Sequence, residues 1–319
     1  MKNKEIIRAA AVQLSPVLFD RDGSTEAVIR ALDRCGREGI RLAVFPEAFI
    51  PNFPYFAFVT PPAQIWKLHA KLFDQAVDIP GPVTDAVASA ARSAGAVVVI
   101  GVNERDGGSI YNTQIIFDSD GSIAGTRRKI MPTFHERMVW GWGDGAGLKV
   151  FETSVGRIGA LICWEHFMPL ARYALIAQGE QIHCSHFPGS TGGGALGRQI
   201  DAAIRHHAME SGAFVVNSTA WLSEQQRKEI SSDPNLLDYL QGGLCTAIVS
   251  PQGRYLAGPL PEGEGFAIAE LDPQKIVQQK NLLDTAGHYA RPDILRLKID
   301  RSPRTLMEEG PLAGDGEIP

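Results

Sequence analysis

The run Ala96-Val97-Val98-Val99-Ile100-Gly101-Val102 constrains the fold more than any other stretch, because it keeps no polar face for water. Alternate residues of a strand point to opposite faces, so an apolar run without alternation is covered on both sides. Further strands are expected at Ile6–Leu14, Ile40–Phe45, Arg157–Cys163, Gln181–Phe187, Ala213–Thr219 and Leu244–Ser250. Helical stretches fall between them: residues 22–38, roughly 63–76, Val83–Ala94 before Gly95, a helix opened by Pro169, and 198–211. Such alternation marks an α/β fold. In the middle, Tyr111–Phe117 and Ser122–Ile130 read as strands joined through Asp118-Ser119-Asp120-Gly121, a hairpin signal, and Ser250–Arg254 reads as another turn between strands. Strand pairs with intervening helices suggest a four-layer α-β-β-α sandwich, although periodicity alone does not separate it from a three-layer fold. No long Ser/Gly/Pro linker divides the 319 residues. One domain is therefore expected over 1–302, with the Gly-, Pro- and Glu-rich 303–319 as a tail, disordered or at a subunit interface.

A formal net charge of −5 leaves no electrostatic footprint for a nucleic acid. The charged start, Met1-Lys2-Asn3-Lys4-Glu5, precedes too short an apolar run for a signal peptide. No stretch is long enough to span a bilayer, so a cytoplasmic protein without a membrane partner is expected. The four cysteines, Cys35, Cys163, Cys184 and Cys245, lack C-x-x-C spacing, which argues against disulfides. His183-Cys184-Ser185-His186 could be read as metal-binding, but neighbouring strand residues face opposite ways and no second ligand pair follows. Core strand is the better reading, and no metal is expected. Gly192-Gly193-Gly194-Ala195-Leu196-Gly197 fits G-x-G-x-x-G between a strand and a helix. Yet the next strand ends without the acidic residue of a dinucleotide site, so no cofactor is expected there. A flexible loop near the rim of a site is the expectation.

The chemistry concentrates at strand ends. Gly159-Ala160-Leu161-Ile162-Cys163-Trp164-Glu165-His166 is an apolar run that stops at a thiol. Phe45-Pro46-Glu47 ends a second strand and Arg127-Arg128-Lys129 a third, with Glu136 seven residues on. Each alone has a bland reading: a core cysteine, a solvated carboxylate, a surface lysine. Together they comprise a nucleophile, an electrophilic stabiliser and acid/base carboxylates. Met131-Pro132-Thr133-Phe134 and Met138-Val139-Trp140-Gly141-Trp142 surround Lys129 and Glu136 with apolar groups, which implies a desolvated pocket with shifted pKa values.

Val44-Phe45-Pro46-Glu47, Arg127 to Thr133 with Glu136-Arg137, and Cys163-Trp164-Glu165 resemble the motifs of the nitrilase superfamily of carbon–nitrogen hydrolases, over essentially the whole chain. The Cys-Trp-Glu run and Trp140-Gly141-Trp142-Gly143-Asp144-Gly145 look like the true nitrilase branch, and Cys163 to Leu175 with His288-Tyr289-Ala290-Arg291-Pro292-Asp293 resemble bacterial and cyanobacterial nitrilases. The triple glycine at 192–194 stands where bulkier residues are expected. The resemblance implies a Glu47–Lys129–Cys163 triad assisted by Glu136, and hydrolysis of a nitrile to acid and ammonia through a thioimidate. By analogy, Phe53, Tyr55, Trp140, Trp164, Phe187 and Pro188 would line the substrate pocket. A homodimer or larger homo-oligomer, even a spiral, is implied as well. An amidase or cyanide-hydrolysing relative is the alternative reading within the superfamily. A non-catalytic or nucleotide-binding protein is the alternative outside it.

Overall fold

Twelve strands form two six-stranded sheets among the residues described in a computed structural model, which are 5–304 and Met307. The strands are β1 (Ile7–Gln13), β2 (Leu42–Val44), β3 (Val97–Asp106), β4 (Ser109–Phe117), β5 (Ile123–Arg128), β6 (Phe151–Thr153), β7 (Gly156–Ile162), β8 (Ile182–Phe187), β9 (Phe214–Thr219), β10 (Ala247–Val249), β11 (Tyr255–Ala257) and β12 (Gly265–Leu271). One sheet runs β12-β1-β2-β3-β4-β5 and the other β11-β10-β9-β8-β7-β6. Each has a parallel centre, β1-β2-β3 and β7-β8-β9, flanked by antiparallel neighbours.

The helices include α1 (Arg21–Arg37), α2 (Phe56–Val59), α3 (Ile65–Asp74), α4 (Pro82–Ala94), α5 (Pro169–Ile176), α6 (Gly193–Ser211), α7 (Glu224–Ile230), α8 (Pro234–Tyr239) and α9 (Gln274–Leu282). Local chemistry sets their ends. Asp20 caps α1 by accepting from the Gly23 amide at 2.9 Å. Pro82 and Pro169 occupy first turns, where no amide hydrogen is needed.

The apolar strands are explained by what covers them. Ile7, Ala9, Ala11, Val97 and Val99 of the first sheet pack against Ile158, Ala160, Ile182, Phe214 and Val216 of the second. The alternate residues Ala10, Val12, Val98 and Ile100 face outward onto Val28 and Leu32 of α1 and Val87 and Ala91 of α4. On the far side, Phe187 and Val215 pack on Ile200, Ile204 and Ala208 of α6. Leu161 meets Ala171 and Leu175 of α5. The result is a single-domain α-β-β-α sandwich, as expected, and a three-layer fold is excluded because the two sheets bury each other.

Two expectations change. Residues 193–197 are not a loop but the first turns of α6, which begins five residues before the expected 198. Gly192, with φ of +69°, caps that helix, so the glycine run ends a connection rather than forming one. Strands β6 and β12 were not anticipated, whereas β11 follows the turn expected at Ser250–Arg254; β12 pairs antiparallel with β1 from Ile7↔Leu271 to Gln13↔Gly265, a partnership across most of the chain. Of the tail expected at 303–319, only Pro303, Arg304 and Met307 lie within the described residues. Among the described residues no helix is long and apolar enough to cross a membrane.

Candidate active site

Glu47 follows β2 in a loop pressed onto β3. A Cβ on Gly101 would stand 2.4 Å from the Ala48 nitrogen and 2.7 Å from the Pro46 oxygen, so only glycine admits the loop. Phe49 then donates to the Gly101 carbonyl at 2.8 Å, which fixes the turn that turns the Glu47 carboxylate inward. Lys129 comes directly after β5, and its amide donates to the Asn112 carbonyl of β4 at 2.8 Å. Glu136 lies in a short 3₁₀ turn, Phe134–Met138, and accepts from the Thr133 amide at 2.7 Å. Cys163 follows β7 and opens another 3₁₀ turn, Cys163–Phe167, with φ of +50°. Such left-handed backbone at a non-glycine residue costs about 1–3 kcal/mol and persists only where its surroundings enforce it.

These four groups meet. Lys129 Nζ donates to Glu47 Oε1 at 2.8 Å and to Glu136 Oε2 at 2.7 Å. One carboxylate oxygen of each glutamate and the Cys163 sulfur lie within 4.8 Å of one another, and all four side chains are buried. The ammonium thus occupies the space between the carboxylates. Asn112 Nδ2 also donates to Glu47 Oε1 at 2.7 Å, while Glu47 Oε2 has no partner among the described residues. That free oxygen is available to take a proton.

Burial pushes the Glu47 carboxyl up to about 7, with Lys129 opposing and Glu136 adding to the rise. Burial also raises the Cys163 thiol well above its ordinary value, assisted by Glu47, while Lys129 and the Trp164 amide work against it. Burial alone would push the Lys129 ammonium down. The charges of Glu136, Glu47 and Cys163 outweigh it, so Lys129 stays protonated. At rest the pocket therefore holds a neutral thiol beside a carboxylate poised near neutrality, the match that general-base catalysis favours.

A further buried pair, which sequence reasoning left without a role, ties the motifs together. Arg127 Nη1 and Nη2 donate to Glu165 at 2.8 and 2.7 Å, a bidentate contact. Glu165 also accepts from the Ile130 amide and the Ile162 amide, each at 2.7 Å. One carboxylate therefore anchors the residue after Lys129 and the residue before Cys163. Burial would raise the Glu165 carboxyl, but Arg127 and these amides hold it below its ordinary value. Both residues stand inside the recognised motifs, so the signal was there; their pairing was not.

Above the sulfur opens a cavity of about 420 Å³. Phe53, Trp164 and Pro188 line it, as anticipated, together with Phe58, Phe134, Leu196 and Tyr239. Trp164 is 43% exposed at its mouth. Tyr55, Trp140 and Phe187 stand behind the wall instead. The Tyr55 hydroxyl donates to the Pro188 carbonyl at 2.8 Å, the Trp140 indole donates to Asn103 at 2.9 Å, and Phe187 stacks on His166 at 5.2 Å. Phe58 and Tyr239 come from the short helices α2 and α8, which carried no clear sequence signal.

A buried thiol, a carboxyl pushed up toward neutrality and an ammonium held between two carboxylates, beneath an apolar cavity, are the kinds of group that a thiol-dependent hydrolase uses. Residues 8–281 match the carbon–nitrogen hydrolase family model, and the chain belongs to that family. It is 55% identical over 304 residues to a protein named nitrilase from Paraburkholderia phymatum, covering 95% of this chain and 89% of that one. It is 49% identical to a protein named nitrilase 3 from an unknown prokaryotic organism, covering 96% and 93%. In fold it is similar to a carbon–nitrogen hydrolase from Helicobacter pylori, with a TM-score of 0.72 and 21% identity over 91% of this chain and 97% of that one. Saccharomyces cerevisiae Nit3 is similar too, with a TM-score of 0.71 and 22% identity over 89% and 97%.

Proposed function

We propose that the protein is a nitrilase, converting an organic nitrile to the carboxylic acid and ammonia. The observation that carries this reading is the meeting of Cys163, Lys129, Glu47 and Glu136 beneath an apolar cavity, in a chain close to proteins named nitrilase. Glu47 accepts the thiol proton as Cys163 sulfur bonds to the nitrile carbon, and the proton passes to the nitrogen, leaving a thioimidate. Lys129 and the Trp164 amide stabilise the negative charge that develops on nitrogen and then on the tetrahedral oxygen. Glu47 next takes a proton from water as it adds. Ammonia departs to leave a thioester, and a second water releases the acid and restores the thiol. If sulfur departs first, the product is the amide. Glu136 orients Lys129 through its 2.7 Å contact.

The aromatic lining suits an arylacetonitrile or a medium aliphatic nitrile. Offered phenylacetonitrile, an aliphatic dinitrile and the matching amides, the enzyme is expected to release ammonia and acid from nitriles and to leave the amides untouched. Turnover of amides alone would move it to the amidase reading. This reading also expects a homo-oligomer, which light scattering reports.

The position of Glu47 predicts the pH dependence. A base must be unprotonated, so a carboxyl raised to about 7 loses function as pH falls through that value. The groups facing it are Lys129, Glu136, Cys163 and Asn112; Glu136 Oε2 is engaged by Lys129 and the Thr133 amide, whereas Glu47 Oε2 has no partner among the described residues. Below pH 7, kcat/KM is expected to fall about tenfold per pH unit. A profile flat down to pH 5 would remove Glu47 from the role of base.

A further inference from the structure

Behind Cys163 lies a chain of buried polar side chains that the chemistry above does not use. His166 Nδ1 lies 2.7 Å from the Cys163 carbonyl oxygen, and His166 Nε2 lies 3.0 Å from His183 Nε2. His183 Nδ1 stands 2.8 Å from Glu180 Oε2, and Glu180 Oε1 stands 2.7 Å from His207 Nε2. All four side chains are buried. Room for the carboxylate is built in: a Cβ on Gly159 of β7 would sit 1.8 Å from Glu180 Oε2.

Counting hydrogens defines the state of this chain. A carbonyl oxygen only accepts, so His166 Nδ1 must carry hydrogen. Two ring nitrogens in contact need one hydrogen between them, and each carboxylate contact needs another. The set of four contacts thus calls for one hydrogen more than three neutral imidazoles supply.

The Cys163 carbonyl and the Trp164 amide belong to one planar peptide unit, with N–H and C=O pointing in opposite directions. Holding the oxygen therefore aims the hydrogen, and the Trp164 amide faces the Cys163 sulfur. We propose that His166 is a positioning residue: it fixes this peptide plane so that the Trp164 amide points at the developing negative charge, while His183, Glu180 and His207 hold its ring through the chain of contacts behind it. This rests on the reading of Cys163 as nucleophile.

The test compares His166→Ala with His166→Asn, whose side-chain amide can stand in for Nδ1, measuring kcat, KM and alkylation of Cys163 by iodoacetamide. His166→Ala is expected to lower kcat about 100-fold with KM within about threefold, the scale of a misaimed oxyanion donor. His166→Asn is expected to recover about tenfold of that loss. Alkylation is a direct displacement that builds no charge on a substrate nitrogen or oxygen, and the Trp164 amide is the smallest of the influences on the Cys163 thiol, so the rate is expected to slow by less than about threefold. Should His166→Ala not fold, His166→Leu, which keeps much of the volume, takes its place. Three results overturn the proposal: Asn no more active than Ala, alkylation slowing in parallel with kcat, or kcat in Ala within threefold of the parent. Failure of the underlying reading is separate, because alkylated Cys163 would then leave the parent enzyme active.

Discussion

Cys163→Ser is expected to reduce nitrile turnover by at least about 10⁴-fold, the scale on which loss of a nucleophile acts in other catalytic triads. The reason lies in the match between thiol and base. Glu47, raised to about 7, sits within reach of a thiol that burial has also raised, so proton transfer accompanies attack. A serine hydroxyl is a far weaker acid than a thiol, and the same carboxylate cannot draw its proton to a useful extent. The exchange of sulfur for oxygen is small, and Cys163 already occupies its left-handed conformation, so the melting temperature should stay near that of the parent. Ammonia release paired with a thermal melt checks both halves. A folded serine variant within tenfold of parent activity would mean that another group attacks the nitrile.

Lys129→Ala is the second large effect. Turnover is expected to fall by about two to three orders of magnitude or more, as when an oxyanion donor is removed. The ammonium does two jobs in this arrangement. It faces the developing charge, and its contacts at 2.8 and 2.7 Å keep Glu47 and Glu136 apart in charge terms. Without it, two buried carboxylates stand close together with no cation, so one takes up a proton and the pKa of Glu47 climbs further. Stability should suffer too, since breaking a buried ion pair by removing one partner costs about 3–5 kcal/mol. Steady-state kinetics with a denaturant titration separates the two losses. Near-parent kcat in the folded variant would overturn the assignment of Lys129.

The differences between expectation and structure follow a pattern. Helices α1, α3 and α4 were legible because helix-forming composition and an end signal such as Gly95 are local. The start of α6 was misplaced because three glycines read as a loop, although the helix runs through two of them. Strand β12 was missed because its order comes from pairing with β1, some 250 positions earlier, rather than from a pattern of its own. The aromatic pocket was half legible for a similar reason. Phe53 and Trp164 reach the cavity, but Tyr55 and Trp140 spend their polar tips on Pro188 and Asn103 and turn away from it.

By itself, the amino-acid sequence determined the α/β class, most of the strands and the inventory of reactive groups. Each of these depends on residue type and spacing over a few positions. The structure decided that two sheets bury one another, that Lys129 lies between Glu47 and Glu136, and that Arg127 clamps Glu165 across 38 residues. It also decided that burial pushes the Glu47 carboxyl up to about 7 and that a chain of His166, His183, Glu180 and His207 backs Cys163. Those properties arise from burial and from contacts between distant segments, and the same local sequence could meet other neighbours in another packing. Only the packed chain sets which charges share a space closed to water, and there a contact of 3 Å fixes both geometry and acidity.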